Sequence, residues 1–320
     1  MKKTALVLMG LLMMTASCQT APTPTALPPT PAPASTPTAI SFELVSAIKA
    51  DPKLNDPHGI AVDRQGNLFV MEVGNSRVVK FDSAGKMLTT WGTRGVGDGQ
   101  FEVISPRGGH VAVDGQGNVY VADNSARIQK FDNHGKFLTK WGTLGDGDGQ
   151  FSYHVGVGVD SQGNVFASDE GNARIEKFDS NGGFLLKWGG PGTGDAEFLS
   201  PFEVKVNQVG NVFVGEVPNR RLQKFDSNGK LLAKFFFEPI EGKSFSPFDF
   251  AVDAQGNVYA TDRACNCLVK WDSGGKFVAA WSSGTDDSQS SELHGVAVDA
   301  DGNVYVADGI EGYIAKFRQR

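Results

Sequence analysis

Short runs of apolar, β-branched and aromatic residues recur along the chain, separated by turns rich in Asp, Gly, Asn and Lys. The unit at 110–141 shows the pattern: His110-Val-Ala-Val113, Asn118-Val-Tyr-Val-Ala122, Arg127-Ile-Gln-Lys-Phe131 and Phe137-Leu-Thr-Lys-Trp141. Each run is the length and composition of a strand, and the intervening Asp-x-x-Gly-Asn and Asp-x-x-Gly-Lys segments are turns in which Gly supplies positive φ. The first run of each unit, such as Gly59-Ile-Ala-Val62, is small and apolar throughout, as expected of a strand covered on both faces. The first hairpin repeats at Val62-Asp-Arg-Gln-Gly-Asn67, Val113-Asp-Gly-Gln-Gly-Asn118, Val159-Asp-Ser-Gln-Gly-Asn164, Val206-Asn-Gln-Val-Gly-Asn211, Val252-Asp-Ala-Gln-Gly-Asn257 and Val298-Asp-Ala-Asp-Gly-Asn303. Its Asp or Asn falls at 63, 114, 160, 207, 253 and 299, spacings of 51, 46, 47, 46 and 46. Four strands per period of this length predict an all-β, six-bladed β-propeller with four antiparallel strands in each blade.

The sixth unit ends after Tyr313-Ile-Ala-Lys-Phe317, one strand short, whereas Phe42-Glu-Leu-Val-Ser-Ala-Ile48 precedes the first unit with no partner of its own. The N-terminal strand is therefore expected to complete the last blade and leave the ring without an open edge. The combination Gly-x-Ala-Val-Asp-x-x-Gly-Asn-x-Tyr-Val-Ala-Asp, an Arg after a short loop, Lys-Phe-Asp, and Trp-Gly-x-x-Gly-x-Gly-Asp-Gly-Gln-Phe, clearest at 109–151, resembles the NHL repeat. The resemblance extends over 42–317 and implies the propeller fold, in a family that includes binding platforms, sensor domains and some enzymes.

The chain ahead of the repeats is of another kind. Lys2 and Lys3 followed by the apolar run 5–14 read as a signal peptide over 1–17, too short for a membrane span. Thr15-Ala-Ser-Cys18 resembles a lipobox, with Thr15 where Leu or Val is usual, so Cys18 is expected to be lipidated, with plain secretion as the alternative. Residues 18–39 hold seven of the fifteen prolines among Thr, Ala and Ser, a tether that cannot bury enough apolar surface to order itself. The propeller is assigned to 40–320, and the expected location is the bacterial cell envelope, with the lipid as sole membrane contact. Removing Lys2 and Lys3 with the leader leaves 28 basic against 36 acidic residues, a net charge of −8. Such a surface argues against nucleic acid as a partner. The propeller is read as a monomer.

Positions that repeat mark the frame, and positions that differ mark a candidate site. Arg77, Arg127, Arg174 and Arg221 recur at the second-to-third strand loop, with Cys267 and Tyr313 in their place in the last two units, and are read as ties between blades. The Phe of Gly-Asp-Gly-Gln-Phe at 97–101 and 147–151 is read as a plug between neighbouring blades. In contrast, the entry to the first strand carries His58, His110, His154, Glu203, Asp249 and His294, within a residue of alignment. These should ring one mouth of the central channel, and they include four of the five histidines, His134 lying in an exposed turn. Imidazoles and carboxylates suit a divalent metal, zinc or calcium, where three converge with an open position. The same residues could instead hydrate and hydrogen-bond a wet mouth. Cys265 and Cys267 are placed to form a local disulfide, with a redox role or an incidental thiol pair as alternatives.

Among NHL-like propellers, the peptidyl-α-hydroxyglycine α-amidating lyase holds zinc through histidines at a similar strand start, and Pro57-His58-Gly59-Ile60 and Leu293-His294-Gly295-Val296 look like that motif. Only these two match in register, and they sit on adjacent blades. The lyase's catalytic Arg and Tyr have no identified counterparts, so no catalytic residue is assigned. No nucleophile elbow, P-loop, dinucleotide fingerprint or zinc-finger spacing occurs. Two functions follow: a non-catalytic envelope module that binds a protein, peptide or glycan on one propeller face, or a metal-dependent lyase or hydrolase at the channel mouth.

Overall fold

The Asp-x-x-Gly-Asn hairpin shows why these short strands form. Asp63 Oδ1 accepts from the Gln65 and Asn67 amides at 2.9 and 2.8 Å, its Oδ2 accepts from the Asn67 side chain at 2.7 Å, and Gly66 turns at φ +79°. The same side-chain clasp recurs at Asp114, Asp160, Asp253 and Asp299. A computed structural model describes residues 41–103, 108–152, 154–237, 247–262, 265–282 and 292–320. The expected signal peptide, Cys18 and the tether lie outside the described residues.

Residues Ala39–Arg320 form one compact unit. Within it, six four-stranded antiparallel sheets follow one another as blades. Blade one comprises Pro57–Val62, Leu68–Glu72, Arg77–Phe81 and Met87–Trp91, and blades two to five repeat that meander. Blade six takes three strands, Leu293–Val298, Val304–Asp308 and Tyr313–Gln319, from the end of the chain and its fourth, Phe42–Lys49, from the beginning. The closing pair is antiparallel, from Phe42 opposite Gln319 to Lys49 opposite Tyr313. The expected closure is thus present, with the last strand two residues longer than the repeat pattern suggested.

The core lies between blades. Phe101, Phe151 and Phe198 are fully buried and meet Phe131, Phe178 and Phe225 of the following blade at ring-centroid distances of 5.6, 5.9 and 6.0 Å. Three of the four recurrent arginines bind backwards to the loop of the preceding blade, whereas Arg77 pairs with Glu72 of its own blade. Arg127 donates to the Gln100 carbonyl at 2.9 Å, Arg174 to that of Gln150 at 2.7 Å and Arg221 to that of Glu197 at 2.6 Å. Each is also paired with a buried carboxylate at the end of the second strand: Asp123, Asp169 or Glu216. A planar guanidinium satisfies several acceptors at once, which suits it to this joint.

Candidate functional site

The first strand of every blade runs along the central channel. Its middle is apolar, lined by residues such as Ile60, Ala112, Val157 and Val296, with Lys205 as a charged exception. At one end the channel is ringed by the hairpin residues Asp63, Asp114, Asp160, Asn207, Asp253 and Asp299, whose side chains are engaged in their own turns. At the other end, where the first strands begin, His58, His110, His154 and Asp249 line a pocket together with Gly59, Phe202, Pro247 and Phe248. Its free space is about 70 Å³. That accommodates one end of a ligand, well short of the several hundred Å³ that enclose a drug-sized molecule.

The six candidate residues do not meet at one point; they divide into two groups. In the first, Asp56, His58 and His294 each offer a ligand atom, all within 4.8 Å of one another. His58 Nε2 lies 3.0 Å from Asp56 Oδ1, and His294 Nδ1 lies 3.5 Å from the same oxygen. His294 Nδ1 is also 3.2 Å from the Pro57 carbonyl, and its Nε2 is 3.7 Å from Glu292. Both imidazoles are buried, and Phe248 stacks on His294 at 4.5 Å. The two strands can approach this closely because residue 295 is glycine: a Cβ there would collide with the His58 carbonyl. Burial and the neighbouring His58 push the His294 imidazole below its usual pKa, the direction that favours its neutral form.

In the second group, His110 Nε2 lies 3.0 Å from His154 Nε2. Their other nitrogens face carboxylates, His110 Nδ1 in a short contact with Glu203 and His154 Nδ1 at 3.7 Å from Glu170. Lys205 Nζ bridges Glu203 at 3.5 Å and Asp249 at 3.2 Å, while Asp249 accepts from the Val296 amide at 3.1 Å. Because Glu203 belongs to blade four and His110 to blade two, this network spans the channel. Burial acts to raise the Glu203 carboxyl, yet His110 and Lys205 outweigh it and hold the group well below the usual range. Burial pushes Asp249 up despite Lys205. Two carboxylates sharing one ammonium are thereby made unequal.

The NHL repeat sequence profile matches residues 54–81, which span the first three strands of blade one. The chain is a six-bladed β-propeller whose first blade matches the NHL repeat. No curated protein sequence matches it. Solved structures do. A streptogramin B lyase aligns at a TM-score of 0.58 and 14% identity, covering 88% of this propeller chain and 98% of its own. A catalytically inactive histidine-to-alanine variant of virginiamycin B lyase from Staphylococcus aureus, solved with quinupristin, aligns at 0.58 and 13%, covering 87% and 99%. A selenomethionine-substituted virginiamycin B lyase from the same organism gives 0.56 and 13%, covering 87% and 99%. At such identities the likeness is one of fold.

Several residues of the propeller's mouth had not been singled out in its sequence. Asp56 precedes the first strand and adopts a left-handed backbone, φ +53°, outside any repeat position. Glu170 comes from the loop after the second strand of blade three. Lys205 did leave a signal. It occupies the register of Ala61, Ala112, Gly158, Ala251 and Ala297, so a lone cation stands where the other blades place small residues. Away from the mouth, Cys265 and Cys267 are joined by a disulfide with Cα atoms 5.2 Å apart, at the start of the third strand of blade five.

Proposed function

We propose that this propeller binds its ligand at the mouth where the first strands begin, and that a divalent metal ion held by Asp56, His58 and His294 anchors it. The convergence of these three side chains beside an open pocket carries the reading. Two imidazoles and a carboxylate form a donor set suited to zinc-like ions, and ligands of a tetrahedral ion stand about 3.3 Å apart for bonds of about 2.0 Å. Asp56 Oδ1 already stands 3.0 Å from His58 and 3.5 Å from His294, so closing on an ion mainly requires the two imidazoles to draw together from within 4.8 Å. With three protein ligands, one coordination position remains for water or for an oxygen of the ligand. The aromatic wall of Phe202 and Phe248 would receive an apolar part of a peptide or similar molecule. Elemental analysis and zinc titration of the folded chain test the assignment: binding at this centre should be lost in both His58→Ala and His294→Ala. A metal stoichiometry equal to that of the unsubstituted chain in both folded variants rules it out.

The second reading is metal-assisted lyase or hydrolase chemistry at the same position. Supporting it are the similarity of fold to lyases, one of them inactivated by loss of a histidine, and the two strand starts that resemble the amidating lyase. Metal-dependent turnover of a peptidyl-hydroxyglycine or a cyclic ester substrate, abolished by His294→Ala, separates catalysis from binding alone. The leader and Cys18 support an envelope location through a lipid anchor. A Cys18→Ala chain that still fractionates with membranes removes that part of the proposal.

A further inference from the structure

The His110–His154 pair has a geometry that the first metal centre does not use. Two imidazoles point their Nε2 atoms at one another across 3.0 Å, and each ring has its Nδ1 turned to a carboxylate, Glu203 on one side and Glu170 on the other. With both Nδ1 atoms protonated toward those carboxylates, both Nε2 atoms present lone pairs to the same point, an arrangement that repels unless a cation lies between them. Carboxylates that hold the outer nitrogen of a ligating histidine are the usual support of a metal-bound imidazole. The local charge agrees. Glu203 and Asp249 share a single ammonium, Lys205, and Glu170 adds a third carboxylate beside His154. The pocket opens on both histidines, giving an ion a route in and room for water ligands.

We infer that His110 and His154 form a second divalent-cation site, taking a zinc-like ion between their Nε2 atoms, with Glu203 and Glu170 as positioning residues. For bonds of about 2.0 Å and a tetrahedral angle, the nitrogens must stand about 3.3 Å apart, so the rings need to separate by only a few tenths of an ångström. The remaining coordination positions fall to water or to the ligand bound in the pocket. The inference extends the reading of the mouth as a cation site but uses other ligands, so the two can fail separately.

The test is titration of the metal-free chain with Zn²⁺, followed by calorimetry and elemental analysis, with Co²⁺ absorption as a spectroscopic check and circular dichroism to verify folding. Two ions per chain are expected. His154→Ala should bind one and retain the Asp56 centre, His58→Ala should bind one and retain the pair, and the double variant should bind none. Glu170→Gln should keep both sites but weaken the second by about 10- to 100-fold. A wild-type stoichiometry unchanged in folded His154→Ala overturns the second site, because the two imidazoles then share only a proton. One ion that is lost in His154→Ala but kept in His58→Ala supports the pair and overturns the Asp56 centre instead. No ion in the wild-type chain overturns both.

Discussion

Glu176 sits where blades two and four carry glutamine. Gln129 accepts from the Gly99 amide at 2.9 Å and donates to the Gln100 carbonyl, and Gln223 accepts from the Ala196 amide at 3.0 Å and donates to the Glu197 carbonyl at 2.9 Å. A carboxylate can reproduce only the accepting half. Glu176 Oε1 receives the Gly149 amide at 3.3 Å, while its buried Oε2 has no donor. Burial raises its pKa to about 7 from 4.5, although Arg174 opposes the shift. The folded chain therefore holds this proton more tightly than the unfolded chain, and stability falls as pH rises from about 4.5 to about 7, then levels off. Glu176→Gln should restore both hydrogen bonds and stabilise the protein by on the order of 2 kcal/mol at pH 8, with a much smaller gain at pH 5. Denaturant midpoints at the two pH values measure this, and an equal gain at both would contradict the assignment.

The strand Phe42–Lys49 belongs to blade six by pairing, but its packing reaches across the seam. Ile48 is buried in one cluster with Leu68, Val79 and Phe81 of blade one and Ala307 and Ile314 of blade six. Ile48→Ala should cost about 2–4 kcal/mol, whereas Leu44→Ala on the same strand, at a side chain 54% exposed, should change stability by no more than about 0.5 kcal/mol. Equal shifts of the denaturation midpoint would mean that the strand is not the fastener of the ring. This closure could be read from the chain because two elements each lacked a partner, and the blades because one hairpin is written six times. The mouth was only partly legible. His58 and His294 stand five residues before the hairpin Asp, His110, Glu203 and Asp249 stand four before the hairpin Asp or Asn, and His154 stands six before it, in strands whose register is irregular at this end in blades one, four, five and six. A ring drawn through all six merges three register positions that the backbone separates. Asp56 and Glu170 come from outside the strands, where repeat comparison has no register to offer.

Across the whole molecule, the Asp56–His58–His294 centre lies at the same seam that the N-terminal strand closes, since blade one supplies two of its ligands and blade six the third. An ion bound there fastens the first blade to the last at the channel, while Ile48 does so further out. Binding only to the closed ring, it should raise stability by mass action, about 2.7 kcal/mol at a hundred-fold excess over its dissociation constant. For a domain of this size that corresponds to a rise in the thermal midpoint of about 5 °C or more. His134→Ala, in an exposed turn of blade two, should leave the rise intact, because that imidazole lies away from the mouth. His294→Ala should reduce it to whatever the His110–His154 pair alone supplies, and His294→Ala combined with His154→Ala should abolish it. Thermal melts with and without zinc decide the matter. A shift that survives in the double variant would place the ion elsewhere and leave the seam held by the strand and its packing alone.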